Sequence, residues 1–397
     1  MIENPFLSFD ASRVPSPCFV VDEVAIERNL KILNRVQTES GAKVLAALKA
    51  FSMWSMAPLQ RRYLSGTCAS GLHEARLGKE EYGGEVHVFS AAYKEDELRE
   101  ILTFADHVVF NSLRQWQRFQ PLIQAARAQR PQLQFGLRVN PQHSEGTVPI
   151  YDPCAPGSRL GITLEQIEQQ LKEGVTLDGI SGIHFHTLCQ QDLPPLARTL
   201  AVVEEKFSHW FGQLKWINFG GGHHISDPDY DVDGLIHLIK AFRARYGLDV
   251  YMEPGEAVAI HSGVLVAEVL DIGFNTVAQA ILDTSATCHM ADVLEMPFRP
   301  DVLCNGKLAG LMDELPHGYR LGGMTCLAGD VIGDYSFAQP LQPGDRLMFD
   351  DMAHYTIVKT TTFNGINLPS IAIWNSITDS LRVVKQFGYE DFKQRLS

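Results

Sequence analysis

The sequence predicts an α/β fold, a (β/α)8 TIM-type barrel followed by an all-β domain. From about residue 40 to residue 260, short β-rich runs alternate with longer helix-prone stretches, the pattern of parallel strands joined by crossover helices. Beyond about residue 262 the helical stretches give way to β-rich runs separated by Gly, Pro and Asp turns. A length of 397 residues suits two domains, one of them a barrel of roughly 250 residues. The expected bounds are 36–265 for the barrel and 1–35 plus 266–397 for the β domain.

Eight runs supply the barrel strands in order: Lys43–Ala50, Gly66–Ser70, Val86–Ser90, His107–Asn111, Gln134–Asn140, Gly179–Thr187, Lys215–Gly220 and Asp249–Glu253. Charged, helix-prone segments such as HEARLGKEEYG and EDELREILTFA lie between them. In the second part, HSGVLVAEVLDIG, RLMFDD and HYTIVKTTTF read as β-rich. The early run Ser16–Asp22 is also strand-like and is a candidate to join the β domain.

Composition narrows the function. Apolar residues make up 45% and charged residues 20%, as in a folded soluble protein. No apolar run reaches the roughly 20 residues of a membrane span, and the N-terminus lacks a basic segment followed by an apolar core, so a cytoplasmic protein is expected. Seven scattered cysteines with no CxxC pair argue against a disulfide framework or a structural zinc site. The net charge of −13 disfavours nucleic acid and anionic membranes and suits a cationic substrate.

Barrel active sites sit at the C-terminal ends of the strands, so inward polar residues there are the candidates. Alternation puts Leu45, Ala47 and Lys49 on one face. An amine beside low-dielectric walls loses its preference for the charged form and can form a Schiff base with a carbonyl compound. The fifth strand brings Arg138, which needs an anionic partner, either a cofactor or Glu74. The sixth brings His184 and His186, readable as core histidines, as metal ligands or as a ring packed on a cofactor. The seventh ends in Gly220–Gly221–Gly222, at a place where barrels often build a phosphate site, and backbone N–H groups there can surround a phosphate. The eighth points Glu253 inward, where a carboxylate needs a partner such as a protonated pyridine nitrogen. Lysine, histidine, glycine turn and carboxylate together make a pyridoxal 5'-phosphate site. A metal-dependent barrel hydrolase built on His184, His186, His223 and His224 is the remote alternative, and it leaves Lys49 and the three glycines unexplained.

The motifs ALKAF (47–51), CASGLHE (68–74), LRVNP (137–141), HFHT (184–187), GGG (220–222), EPG (253–255), GGMTCLAGD (322–330) and AHYTIVKTTTFNG (353–365) occur in this order. In this the chain resembles the fold-type III pyridoxal-phosphate decarboxylases, which act on ornithine, arginine, diaminopimelate and carboxynorspermidine, and the resemblance covers nearly the whole chain. It implies that Lys49 holds the cofactor, that His186 rather than His184 packs on its ring, and that Gly220, Gly221 and Gly222 bind its phosphate, with Tyr355 reaching the same group. It further implies that Glu253 meets the ring nitrogen, that Cys326 acts as proton donor across a homodimer interface, and that Asp330 lies near the substrate in the shared site. The resemblance is greatest to the carboxynorspermidine and carboxyspermidine decarboxylases, through the segment 283–300, DTSATCHMADVLEMPFRP. Glu256 and Asp292 would then supply carboxylates for a polyamine tail, while Arg299 is the group that would serve the distal carboxylate of diaminopimelate, the runner-up substrate. Glu256 stands where ornithine- and diaminopimelate-type relatives carry arginine, and Leu327 where diaminopimelate enzymes carry an acid.

Overall fold

The computed structural model of the chain describes residues 4–146 and 148–397. They form two compact units. One unit, Glu27–Val258, holds a closed barrel of eight strands. With β1 at Cys18–Asp22, the barrel strands are β2 (Lys43–Ala47), β3 (Gly66–Ala69), β4 (Glu85–Phe89), β5 (His107–Phe110), β6 (Gln134–Arg138), β7 (Gly182–His184), β8 (Trp216–Asn218) and β9 (Asp249–Met252). Neighbours pair in parallel around the ring, and β9 closes it on β2 through Lys43↔Tyr251 and Val44↔Met252. All eight expected strands are present, each shorter at one or both ends than the run that predicted it.

The barrel interior is filled, as its alternation requires. Leu45, Val109, Trp216 and Tyr251 form a buried cluster on the axis. The Trp216 indole fits because the two preceding strands, β7 and β6, carry glycine at Gly182 and Gly136. A Cβ at Gly182 would lie 2.1 Å from the indole and one at Gly136 2.4 Å from it. Nearer the N-terminal ends of the strands, Lys43 bonds Glu85 and, at 3.1 Å, the Tyr251 hydroxyl. His87 Nε2 lies 3.0 Å from Glu85, and the His87 and His107 rings stack at 3.8 Å. This end of such a barrel serves stability.

The other unit comprises the described residues up to Ile26 together with Ala259–Ser397. Its division from the barrel comes earlier in the chain than the expected 36 and 265. Position 36 falls inside the helix Glu23–Ser40, and β10 (Gly263–Asn275) already belongs to the sheet at its first residue. β1 lies in the middle of this sheet, antiparallel to β10 (Val21↔Gly263) and parallel to the strand Ser370–Asn375 (Cys18↔Ser370). The N-terminal run therefore joins the β domain. β10 continues into a hairpin with β11 (Val277–Leu282). Phe19, Leu265, Val269, Leu321, Tyr335 and Phe349 are among the core residues of this unit.

One expected strand is absent. HYTIVKTTTF, read as β-rich for its β-branched residues, forms a short 3₁₀ turn over Thr356–Val358 and then irregular chain, with a second such turn at Phe363–Gly365. Tyr355 (φ 48°) and Asn364 (φ 60°) stand in left-handed conformations that no strand allows.

Candidate active site

The barrel residues singled out in the sequence gather at the C-terminal ends of the strands. Lys49 sits in the turn two residues past the end of β2. Its side chain is open to solvent from the mouth, yet desolvation by the walls around it, followed by the charge of Arg138, pushes its ammonium below the ordinary lysine value. An amine in this setting is more readily available as a nucleophile at neutral pH.

Glu253 follows β9. Its Oε1 accepts from Asn218 Nδ2 at 2.7 Å, and its Oε2 lies 3.4 Å from His184 Nε2. Desolvation opposes its charge, but these donors hold the carboxyl below the usual carboxylate range. His184 is fully enclosed, and burial keeps its imidazole neutral, below its ordinary value. Burial, and then the charge of Lys49, does the same to His186 more strongly. The Nδ1 of His186 accepts the Gly221 N–H at 3.0 Å, which fixes a neutral ring with its proton on Nε2.

Arg138 ends β6. Its guanidinium lies 4.5 Å from the centre of the Phe89 ring and donates to the His186 carbonyl at 3.1 Å. Burial brings its pKa down to about 10, so it stays cationic. Glu74, the structural partner considered for it, instead accepts the Ser70 N–H at 2.6 Å. Glu256 Oε1 accepts from Gln190 at 2.9 Å, and its Oε2 lies 3.4 Å from His224 Nε2.

The remaining candidates belong to the β unit. Cys326 is exposed, and its N–H donates to Asn364 Oδ1 at 2.8 Å. Tyr355 packs beside Lys359, whose Nζ lies 5.8 Å from the ring centre.

The comparisons with known proteins fit this arrangement. A family model described as pyridoxal-dependent decarboxylase, C-terminal sheet domain, matches residues 18–353. The chain belongs to the pyridoxal-dependent decarboxylases. It is thus a carboxy-lyase. This decarboxylase is 43% identical to the carboxynorspermidine/carboxyspermidine decarboxylase of Campylobacter jejuni, over 96% of this chain and 99% of that protein. It is 42% identical to the carboxyaminopropylagmatine decarboxylase of Synechocystis, over 100% and 98%. Among solved structures, carboxynorspermidine decarboxylase from Campylobacter jejuni complexed with norspermidine superposes with a TM-score of 0.86 at 41% identity, over 96% of this chain and all of that one.

Several sequence-based expectations change in this decarboxylase. The three glycines are not three free donors. Gly220 N–H donates to Asn218 Oδ1 at 2.8 Å and Gly221 N–H to His186, so Gly222 alone has no N–H partner among the described residues. Their lack of side chains serves close backbone packing instead: a Cβ would lie 2.4, 2.1 and 1.9 Å from the carbonyl oxygens of Phe185, Glu253 and Leu188 respectively.

Asp330, expected near the substrate in a shared site, is engaged within its own unit. It is 4% exposed and accepts from Ser285 Oγ, the Thr287 N–H, the Thr325 N–H and Thr325 Oγ1, the last at 2.6 Å. Its lone pairs are taken, and it fastens the Cys326 loop to the segment 285–288. Asp292, expected to hold a polyamine tail, pairs with Lys359 at 2.6 Å. Arg299, the cation reserved for a diaminopimelate carboxylate, lies 3.9 Å from the centre of the Tyr335 ring and donates to the carbonyls of Asp334 and Gly310. The remote metal reading changes too. Ligand atoms of His184, His186 and Glu253 lie within 4.8 Å of one another, without His223 or His224.

Asn218 was given no role from the sequence. It bonds both Glu253 and Gly220, and its signal was there: it alternates with Trp216 on the inward face of β8. Cys68 is another. Its thiol is drawn to Glu253, and burial pushes its pKa well above the ordinary value.

Proposed function

We propose that this decarboxylase binds pyridoxal 5'-phosphate on Lys49 and converts carboxynorspermidine or carboxyspermidine into the corresponding polyamine, as a cytoplasmic homodimer in polyamine biosynthesis. The observation that carries the substrate is the near-full-length identity of 43% to the Campylobacter jejuni decarboxylase acting on this pair. The acidic chain suits a cationic substrate, and the engagement of Arg299 in the β-domain core weighs against diaminopimelate.

The barrel fits the cofactor on its own observations: an amine of lowered pKa, an inward ionised carboxylate with oriented donors, and a glycine turn with an open N–H. When bound, pyridoxal phosphate supplies an electron sink for the pair left at Cα as carbon dioxide departs. Lys49 anchors it. Glu253, kept ionised by Asn218 and His184, holds a proton at the ring nitrogen. His186, neutral and fixed by Gly221, packs against the ring without adding charge. Arg138 and Tyr355 complete the cofactor contacts. Cys326, from the partner subunit, delivers a proton to Cα. Asp330 sets the loop on which Cys326 stands.

A second substrate has an observation of its own. The Synechocystis relative, 42% identical over the whole chain, acts on carboxyaminopropylagmatine, which ends in a guanidinium rather than an ammonium. Release of carbon dioxide from carboxynorspermidine, carboxyspermidine, carboxyaminopropylagmatine, diaminopimelate and ornithine decides among them. The highest kcat/KM is expected for one of the first two. Release from diaminopimelate or ornithine alone defeats the substrate reading, and a Lys49→Ala variant that keeps the visible absorbance of lysine-bound cofactor defeats the anchoring role.

A further inference from the structure

A phosphate dianion at the Gly220–Gly222 turn needs more than the turn supplies. Two of its three N–H groups are spent inside the protein. Arg138 is held over Phe89 at the end of β6, and Lys49 is committed to the cofactor's aldehyde. His223 is neutral at pH 7, because burial and then the charge of His224 bring its pKa down to about 4.

His224 is different. Its ring is 21% exposed and its Nε2 lies 3.4 Å from Glu256 Oε2, while Gln190 holds the other oxygen of that carboxylate at 2.9 Å. An adjacent carboxylate favours the charged imidazole. The backbone locks the three parts together: Gln191 N–H donates to the Gly222 carbonyl at 3.1 Å, and His224 N–H donates to the Gln191 carbonyl at 3.2 Å. The glycine turn, His224 and Glu256 are therefore one constructed unit, with a single residue between the turn's last glycine and His224.

We propose that His224, paired with Glu256, is a phosphate-binding residue of the cofactor site, and that Glu256 acts through it as a positioning residue rather than as a contact for the substrate's tail. This rests on the cofactor reading given above. A charge-assisted hydrogen bond is about twice as strong as a neutral one, and His224 adjoins the turn with its ring paired to Glu256.

The test strips the full-length protein of cofactor and measures its affinity for pyridoxal phosphate, for pyridoxal, which lacks only the phosphate, and for inorganic phosphate. His224→Asn is expected to weaken pyridoxal phosphate and inorganic phosphate by about tenfold, leaving pyridoxal within about twofold. Glu256→Gln is expected to act in the same direction but less strongly, and the double variant to be no worse than His224→Asn, as coupled residues behave. Glu256→Gln and His224→Gln decide the matter if His224→Asn does not fold. An unchanged ratio of pyridoxal phosphate to pyridoxal affinity overturns the proposal. So does a Glu256→Gln variant whose only change is a raised substrate KM. Wild-type protein that binds neither form of the cofactor defeats the cofactor reading itself, a separable outcome.

Discussion

Replacing Asp330 by alanine separates two roles that the sequence could not. The carboxylate accepts from four donors on Ser285, Thr287 and Thr325, and Ser285 is itself fully buried. Each hydrogen bond to a charged acceptor contributes about 1.5–3 kcal/mol when taken singly. The four share one group, so their loss is not additive. Breaking such a buried charged network by removing one member costs about 3–5 kcal/mol. Asp330→Asn keeps one acceptor oxygen and should lose about half of that. Urea unfolding of the full-length protein is the assay, with substrate kinetics beside it. The expected result is a large fall in unfolding midpoint for Asp330→Ala, a lower kcat because the Cys326 loop is released, and intact lysine-bound cofactor absorbance. A variant of unchanged stability whose only defect is a raised KM would show that Asp330 meets the substrate and would refute the reasoning.

Three other expectations are open to measurement. Glu253→Gln removes the inward charge while keeping the shape, and kcat should fall on the order of 10²-fold or more, with cofactor still bound; a loss under tenfold counts against the role. Gly182→Ala drives a methyl into the Trp216 indole and should destabilise by about 1–3 kcal/mol, seen as a lower unfolding midpoint; wild-type stability would mean that the barrel interior gives way easily. Acid should weaken the fold before the carboxylates titrate. Burial holds the pKa of His223 and His289 at about 4, below their ordinary 6.5. Between pH 6.5 and 4 the unfolded chain therefore takes up protons that the folded chain refuses, so stability falls with pH by up to about 3 kcal/mol for each histidine. Asp350, raised to about 6 by burial, works in the opposite direction over part of this window. The urea midpoint should thus drop between pH 7 and 4, and a flat profile there would contradict the burial of the histidines.

The sequence showed the barrel more clearly than the site. Each barrel strand is a short β-rich run between helix-prone stretches, and that signal is local. Arg138 and His184 were legible for the same reason, since period-two alternation decides which residues face the axis once the strand is found, and Lys49 and Glu253 follow just past the ends of their strands. Groups whose roles depend on long-range partners were not. Nothing near Asp330 in sequence announces Ser285, 45 residues away, and nothing near Asp292 announces Lys359. The HYTIVKTTTF run misled because β-branched residues mark a strand only when backbone pairing is available, and the positive φ of Tyr355 and the 3₁₀ turn after it take the run out of any sheet.

The indole of Trp216, seated against Gly136 and Gly182, makes the barrel a blind well rather than a tube. The axis offers no passage from the C-terminal ends of the strands to their N-terminal ends. Substrate, product and exchanging water therefore cannot cross the barrel along its axis, and their traffic stays on the side of the strands' C-terminal ends.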